Sequence, residues 1–119
     1  MKFLITLLLA AVCSVGAAEA QAIGGKYKVE GTNFNGSTYE GEATITVTSE
    51  TTCEITWNTG TTSVGICMRN DASFAAAYKM DDGAVGLIIY KVAKDGSMDG
   101  VWTIAGNGGA GTEKLTPEN

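Results

Sequence analysis

The side chains most able to do chemistry in this sequence are cysteines and carboxylates, because it contains no histidine. That absence removes the commonest general base and the imidazole ligand, so a Ser-His pair and a His-based zinc site are both excluded. Cys53 and Cys67 stand in CEITWNTGTTSVGIC, a spacing unlike the CxxC of redox proteins. Acidic pairs occur at Glu40/Glu42 and Asp81/Asp82, as paired-carboxylate chemistry would need. The first pair falls on the polar side of an alternating strand and the second in a turn, so both read as solvated surface. DGSMDG spaces Asp95, Ser97 and Asp99 like the opening of a calcium loop, but Gly106 stands where a bidentate Glu is required. No catalytic set, metal site or cofactor site emerges, and the expectation is a protein that is not an enzyme.

The six tyrosines and tryptophans remain: Tyr27, Tyr39, Trp57, Tyr78, Tyr90 and Trp102. In a small β-barrel such residues either line a ligand cavity or fill the core, and core filling is the simpler expectation for so short a chain.

The elements that must position these residues are strands. Tyr39, Gly41, Ala43, Ile45 and Val47 alternate with Thr38, Glu40, Glu42, Thr44 and Thr46, the period-two signature of a half-buried antiparallel strand. Tyr27 and Val29 alternate with Lys26, Lys28 and Glu30, and Asn35-Gly36 supplies a tight turn between the two strands. Asn35-Gly36-Ser37 also fits the glycosylation acceptor pattern, which the turn explains unmodified. Further strands follow through SFAAAYKM, VGLIIYKV, Val101 to Ala105 and TEKLT, with turns at NTGTT, DDG, KDGSMDG and NGGAG. The pattern predicts an all-β fold, a small antiparallel up-and-down barrel of about eight strands, with a β-sandwich as the alternative. VGLIIYKV is apolar on both faces, so its outer side is expected to be covered or to form an interface, a homodimer being one such arrangement. Gly41, Gly65, Gly86 and Gly100 interrupt strand patterns where strong coiling or close backbone approach is needed.

Cys53 and Cys67 pose a geometric conflict. In a hairpin centred on Gly60 they face each other and can form a disulfide. The apolar alternation instead favours pairing Ile55 with Ile66 and Trp57 with Val64, which puts the two thiols on opposite faces. A bulge near Gly65 would reconcile the two registers.

Lys2, the apolar run FLITLLLAAV and the small residues ending at Ala20 read as a secretory signal peptide over residues 1–20, with cleavage after Ala22 as the alternative. The apolar run is about half the ~20 residues a membrane-spanning helix needs. Acylation at Cys13 is disfavoured because Val12 precedes it. Residues 21–119 then form one exported domain, periplasmic or secreted, where a disulfide is chemically at home. A net charge of −5 without a basic cluster makes nucleic acid and anionic membranes poor partners.

The frame GGKYKVEGTNFNGSTYEGEATITV, ITWNTG, VGLIIYKV, KDGSMDGVWT and GTEKLT, covering about Gly24 to Thr116, resembles a family of small exported bacterial β-barrel domains often labelled fibronectin-binding proteins, similar in shape to avidin-like or lipocalin-like barrels. The resemblance implies a non-enzymatic binding module with fibronectin as its partner, recognised through loops or a strand edge. Two alternatives are a barrel binding a small apolar ligand among its aromatics, and a periplasmic inhibitor of a cell-wall hydrolase acting through the acidic loop at Asp81 and Asp82.

Overall fold

The computed structural model describes residues 23–118; the expected signal peptide and Cys13 lie outside the described residues. Eight antiparallel strands follow in order: β1 (Gly25–Thr32), β2 (Thr38–Val47), β3 (Thr52–Asn58), β4 (Thr62–Asn70), β5 (Ser73–Met80), β6 (Val85–Val92), β7 (Met98–Ile104) and β8 (Gly111–Pro117). Each pairs with the next and β8 pairs with β1, so the sheet closes as an up-and-down barrel and not as a sandwich. Closure leaves no open strand edge.

Alternation fixes which side chains enter the barrel. Tyr27, Val29, Phe74, Tyr90, Met98 and Leu115 are fully buried, each worth about 1.5–3 kcal/mol of burial. The turns carry the chemistry read from the sequence. Gly36 adopts φ 89°, which a residue with a Cβ adopts only under strain, and Asn35 Oδ1 accepts hydrogen bonds from Ser37 N at 3.0 Å and Ser37 Oγ at 2.7 Å. Asp95 uses the same device, accepting from Ser97 N and Oγ at 2.9 and 2.7 Å, and these bonds hold its carboxyl below the usual range. Its carboxylate is thus engaged within a hairpin turn. Among the described residues no cluster of three acidic or cysteine side chains is placed to hold a metal.

Inward-facing glycines make room for aromatic rings. Gly31 lies directly across from Tyr39, Gly86 from Tyr78, Gly100 from Tyr90 and Gly111 from Trp102. In all four pairs a Cβ on the glycine would run into the ring, so each ring lies flat over its neighbour's backbone. Gly65 serves another purpose: a Cβ there would strike the Ala77 carbonyl, because β4 and β5 coil tightly together.

Cys53 and Cys67 form a disulfide, directly opposite each other with Cα atoms 5.0 Å apart. The register conflict is settled in a way that corrects the apolar pairing expected for this hairpin. The β3–β4 ladder is unbroken from Thr52↔Met68 to Asn58↔Thr62, with Ile55 opposite Gly65 and Trp57 opposite Ser63, and the bulge near Gly65 does not occur. Ser63, Gly65 and Cys67 point inward, and Val64, Ile66 and Met68 point outward with 54%, 69% and 54% exposure. Val85, Leu87 and Ile89 of β6 and Val101 of β7 are likewise exposed. Ladder positions place Ile66, Ala77 and Leu87 in one row and Met68, Ala75, Ile89 and Val101 in the next, so the outer wall from β4 to β7 carries a continuous apolar stripe.

Candidate functional site

The loops at residues 33–37, 59–61, 81–84 and 105–110 gather at one end of the barrel, where a cavity of about 220 Å³ opens among the strand ends. Tyr39, Trp57, Tyr78 and Trp102 line it, with Ser63, Thr59 and Thr61 at its rim. Phe34, on the loop after β1, stacks on Trp102 with ring centroids 4.7 Å apart, and Tyr39 meets Trp102 edge-on at 6.2 Å. Trp57 and Tyr78 form a further edge-on pair at 5.3 Å. Offset and edge-on contacts of this kind keep the rings in fixed relative positions.

One charged residue belongs to this lining, Glu113 of β8, which is only 6% exposed. Its carboxylate gathers three donors: Tyr39 Oη donates to Oε1 at 2.7 Å, Trp57 Nε1 to Oε2 at 2.8 Å and Tyr90 Oη to Oε2 at 2.5 Å. The local sequence explains how side chains from β2, β3 and β6 reach one carboxylate. Glu113 stands between Gly31 of β1 and Gly100 of β7. Those two glycines are the ones over which the Tyr39 and Tyr90 rings lie, so each hydroxyl crosses a strand that has no side chain in the way. Trp57 reaches Glu113 from the far wall. Three donors compensate a carboxylate that burial would otherwise leave poorly solvated.

The polar tips of the other two lining aromatics turn into the wall. Tyr78 Oη donates to the Thr103 carbonyl at 2.9 Å and Trp102 Nε1 to the Thr112 carbonyl at 3.2 Å. Burial first and the Glu113 charge second raise the tyrosine pKa values: Tyr78 is pushed up to about 12, and Tyr39 and Tyr90 also rise well above the ordinary phenol value. The tyrosines of the site are therefore neutral donors and not proton acceptors at ordinary pH.

Of the six aromatics read from the sequence, four line the cavity. Tyr90 lies fully buried beneath it, against Phe74 at 5.6 Å and Glu113. Tyr27 lies toward the other end, its hydroxyl donating to the Ile23 carbonyl at 2.7 Å. The disulfide is also outside the mouth lining. Glu40 and Glu42 are exposed or nearly so on the outer wall, and Asp82 accepts from Ala84 N in its turn. Sequence reasoning missed Glu113. The signal was present in GTEKLT, where Gly111, Glu113 and Leu115 alternate with Thr112, Lys114 and Thr116, placing an acid on the inward face of a strand.

Neither protein-family models nor curated protein sequences match this chain. Solved structures similar to it include designed barrels. A redesigned β-barrel superposes with a TM-score of 0.76 at 14% identity, covering 84% of this chain and 95% of that one. The redesigned β-barrel mFAP1, bound to DFHBI, gives 0.75 at 19% identity over 82% and 96% of the two chains. A de novo designed fluorescence-activating β-barrel gives 0.69 at 16% identity over 83% and 96%. At these identities the likeness shows the shared eight-stranded barrel fold.

Proposed function

We propose that this protein is a non-enzymatic barrel that binds a small molecule in its mouth. The observation that carries the reading is the aromatic-lined cavity of about 220 Å³, open at one end and built over Glu113. Apolar walls with a few fixed polar groups are the usual make-up of a small-molecule site. That a barrel of this shape holds DFHBI in mFAP1 supports the same reading by analogy of form. Both tryptophans of the chain, Trp57 and Trp102, line the cavity, so intrinsic fluorescence reports occupancy directly. Native mass spectrometry of the freshly purified domain is expected to show a noncovalent small-molecule adduct. Two-dimensional NMR should place ligand-induced shifts at Tyr39, Trp57, Tyr78 and Trp102. A protein that carries no adduct and shows no shifts at these residues across a diverse metabolite library would overturn the proposal.

Protein recognition is the second reading, favoured by the outer apolar stripe over β4 to β7 and by the resemblance to fibronectin-binding domains. Solid-phase binding to fibronectin that is lost in an Ile66→Lys, Leu87→Lys variant with unchanged stability would support it. Equal binding by that variant would count against it.

A further inference from the structure

From the mouth geometry we infer that the ligand is a small organic ammonium cation, a head group of about choline size; this rests on the reading of the mouth as a small-molecule site. Two features converge on a positive charge and a third sets its size.

The first is an uncompensated negative one. Glu113 is buried, its three partners are neutral donors, and the cavity lining contains no Lys or Arg. Hydrogen bonds stabilise the carboxylate but leave its charge in place, and beside protein walls the attraction for a cation is stronger than in bulk water.

The second is that the walls have no aromatic donor left to offer. Tyr39 and Trp57 give theirs to Glu113, and Tyr78 and Trp102 give theirs to the Thr103 and Thr112 carbonyls. What the lining presents inward is ring surface together with the Ser63, Thr59 and Thr61 hydroxyls and the Asn33 side chain, neutral groups that can donate or accept. An anionic ligand would meet the Glu113 charge with no cationic side chain to offset it, whereas a cation meets four rings and a carboxylate. Aromatic cages of this kind are how quaternary ammonium groups are recognised.

The third is size. About 220 Å³ is below the ~300–1,000 Å³ of drug-sized sites and suits a compact head group. A longer substituent would leave through the mouth past Phe34.

The test varies the ligand against the unaltered protein. Choline, its neutral isostere 3,3-dimethylbutan-1-ol and the anion 3,3-dimethylbutanoate are titrated at constant ionic strength, with tryptophan fluorescence and calorimetry as readouts. Choline is expected to bind about tenfold or more tighter than the neutral isostere, and the anion to bind weakest. In Glu113→Gln the preference for choline over the neutral isostere should shrink by about tenfold, and a preference that stays unchanged would overturn the role of the carboxylate. Should Glu113→Gln fold poorly, the ligand series on the unaltered protein decides alone. If the isostere or the anion binds as tightly as choline, the ammonium inference fails while small-molecule binding in the mouth stands. If none of the three binds, the ammonium inference also fails, and the copurified adduct and library NMR shifts judge the broader reading separately.

Discussion

Replacing Glu113 by leucine should reverse the effect of a second substitution, Tyr90→Phe. In the native barrel the Tyr90 hydroxyl donates to a buried carboxylate and is itself fully buried. Removing it takes away one charge-assisted hydrogen bond, a loss of about 1.5–3 kcal/mol. Glu113→Leu alone leaves two buried donors without an acceptor, Tyr90 Oη and Trp57 Nε1, whose residues are 0% and 5% exposed. Each stranded donor costs about 1–3 kcal/mol. Tyr39, half-buried at the mouth, can turn its hydroxyl to water and adds little. Relief of the carboxylate's desolvation offsets part of this loss, so the expected net destabilisation is about 2–4 kcal/mol. In that background Tyr90→Phe deletes a stranded donor and should stabilise the barrel by about 1 kcal/mol. The coupling between the two positions is then at least about 2 kcal/mol, within the range for residues sharing one network. Urea denaturation of the four proteins, followed by tryptophan fluorescence and circular dichroism, measures it. If Tyr90→Phe destabilises the Glu113→Leu barrel as much as the native one, the hydroxyl acts through something other than Glu113 and the reasoning fails.

Four further outcomes follow from the geometry. Cys53→Ala with Cys67→Ala, or reduction of the native protein, should lower stability by about 3 kcal/mol through the freed hairpin loop; a loss under about 1 kcal/mol in denaturant would contradict that. Gly65→Ala should cost about 2 kcal/mol or more, because its Cβ meets the Ala77 carbonyl and backbone yields less readily than side chains; a thermal midpoint within a degree or two of the native value would argue against this packing. All four tyrosine pKa values are raised above 10.0, so between pH 10 and about 12 the unfolded chain has released phenolic protons that the fold retains, and stability should be full below pH 10 and fall as pH rises through that window. Absorbance at the tyrosinate band should stay flat near pH 10 in the folded barrel, and normal half-titration there would refute the prediction. Ile66→Lys with Leu87→Lys should change stability by less than about 0.5 kcal/mol, since both side chains are exposed, and should abolish concentration-dependent self-association in sedimentation; if the native protein sediments as a monomer at high concentration, the homodimer expectation falls.

Much of the fold was legible because barrels write themselves locally. The strict alternation from Thr38 to Val47, Asn35-Gly36 and the spacing of the other turns each act over a few residues, and they gave eight strands and their hairpin order. The aromatics were legible as inward-facing, but whether they filled the core or lined a cavity was not. That depends on partners remote in the chain: Glu113 lies 74 residues from Tyr39, 56 from Trp57 and 23 from Tyr90. Glu113 itself was readable only as an acid on the wrong face of a short strand. A strand-interior glycine opposite a tyrosine, as at Gly31 and Gly100, is the further sequence clue that a hydroxyl reaches past its neighbour, yet it means nothing until strand order is known.

The inversion of β4 shows how the mouth and the outer wall depend on each other. Burying Val64, Ile66 and Met68 would yield about 1.5–3 kcal/mol apiece, more in total than the ~3 kcal/mol of the disulfide, so the disulfide does not by itself hold the observed register. Gly65 supplies the missing constraint. A slip of one residue would bring Val64 or Ile66 to the position where a Cβ strikes the Ala77 carbonyl, and the barrel would have to loosen its coiling to admit it. The slip that brings Ile66 there would also replace Ser63, which faces Trp57 across the ladder and lines the cavity, with Val64. A valine there would fill the space above Glu113. The register that keeps the mouth open is therefore the one that turns three large apolar side chains of β4 outward beside those of β6, and the exposed stripe and the cavity have a common origin in one residue without a side chain.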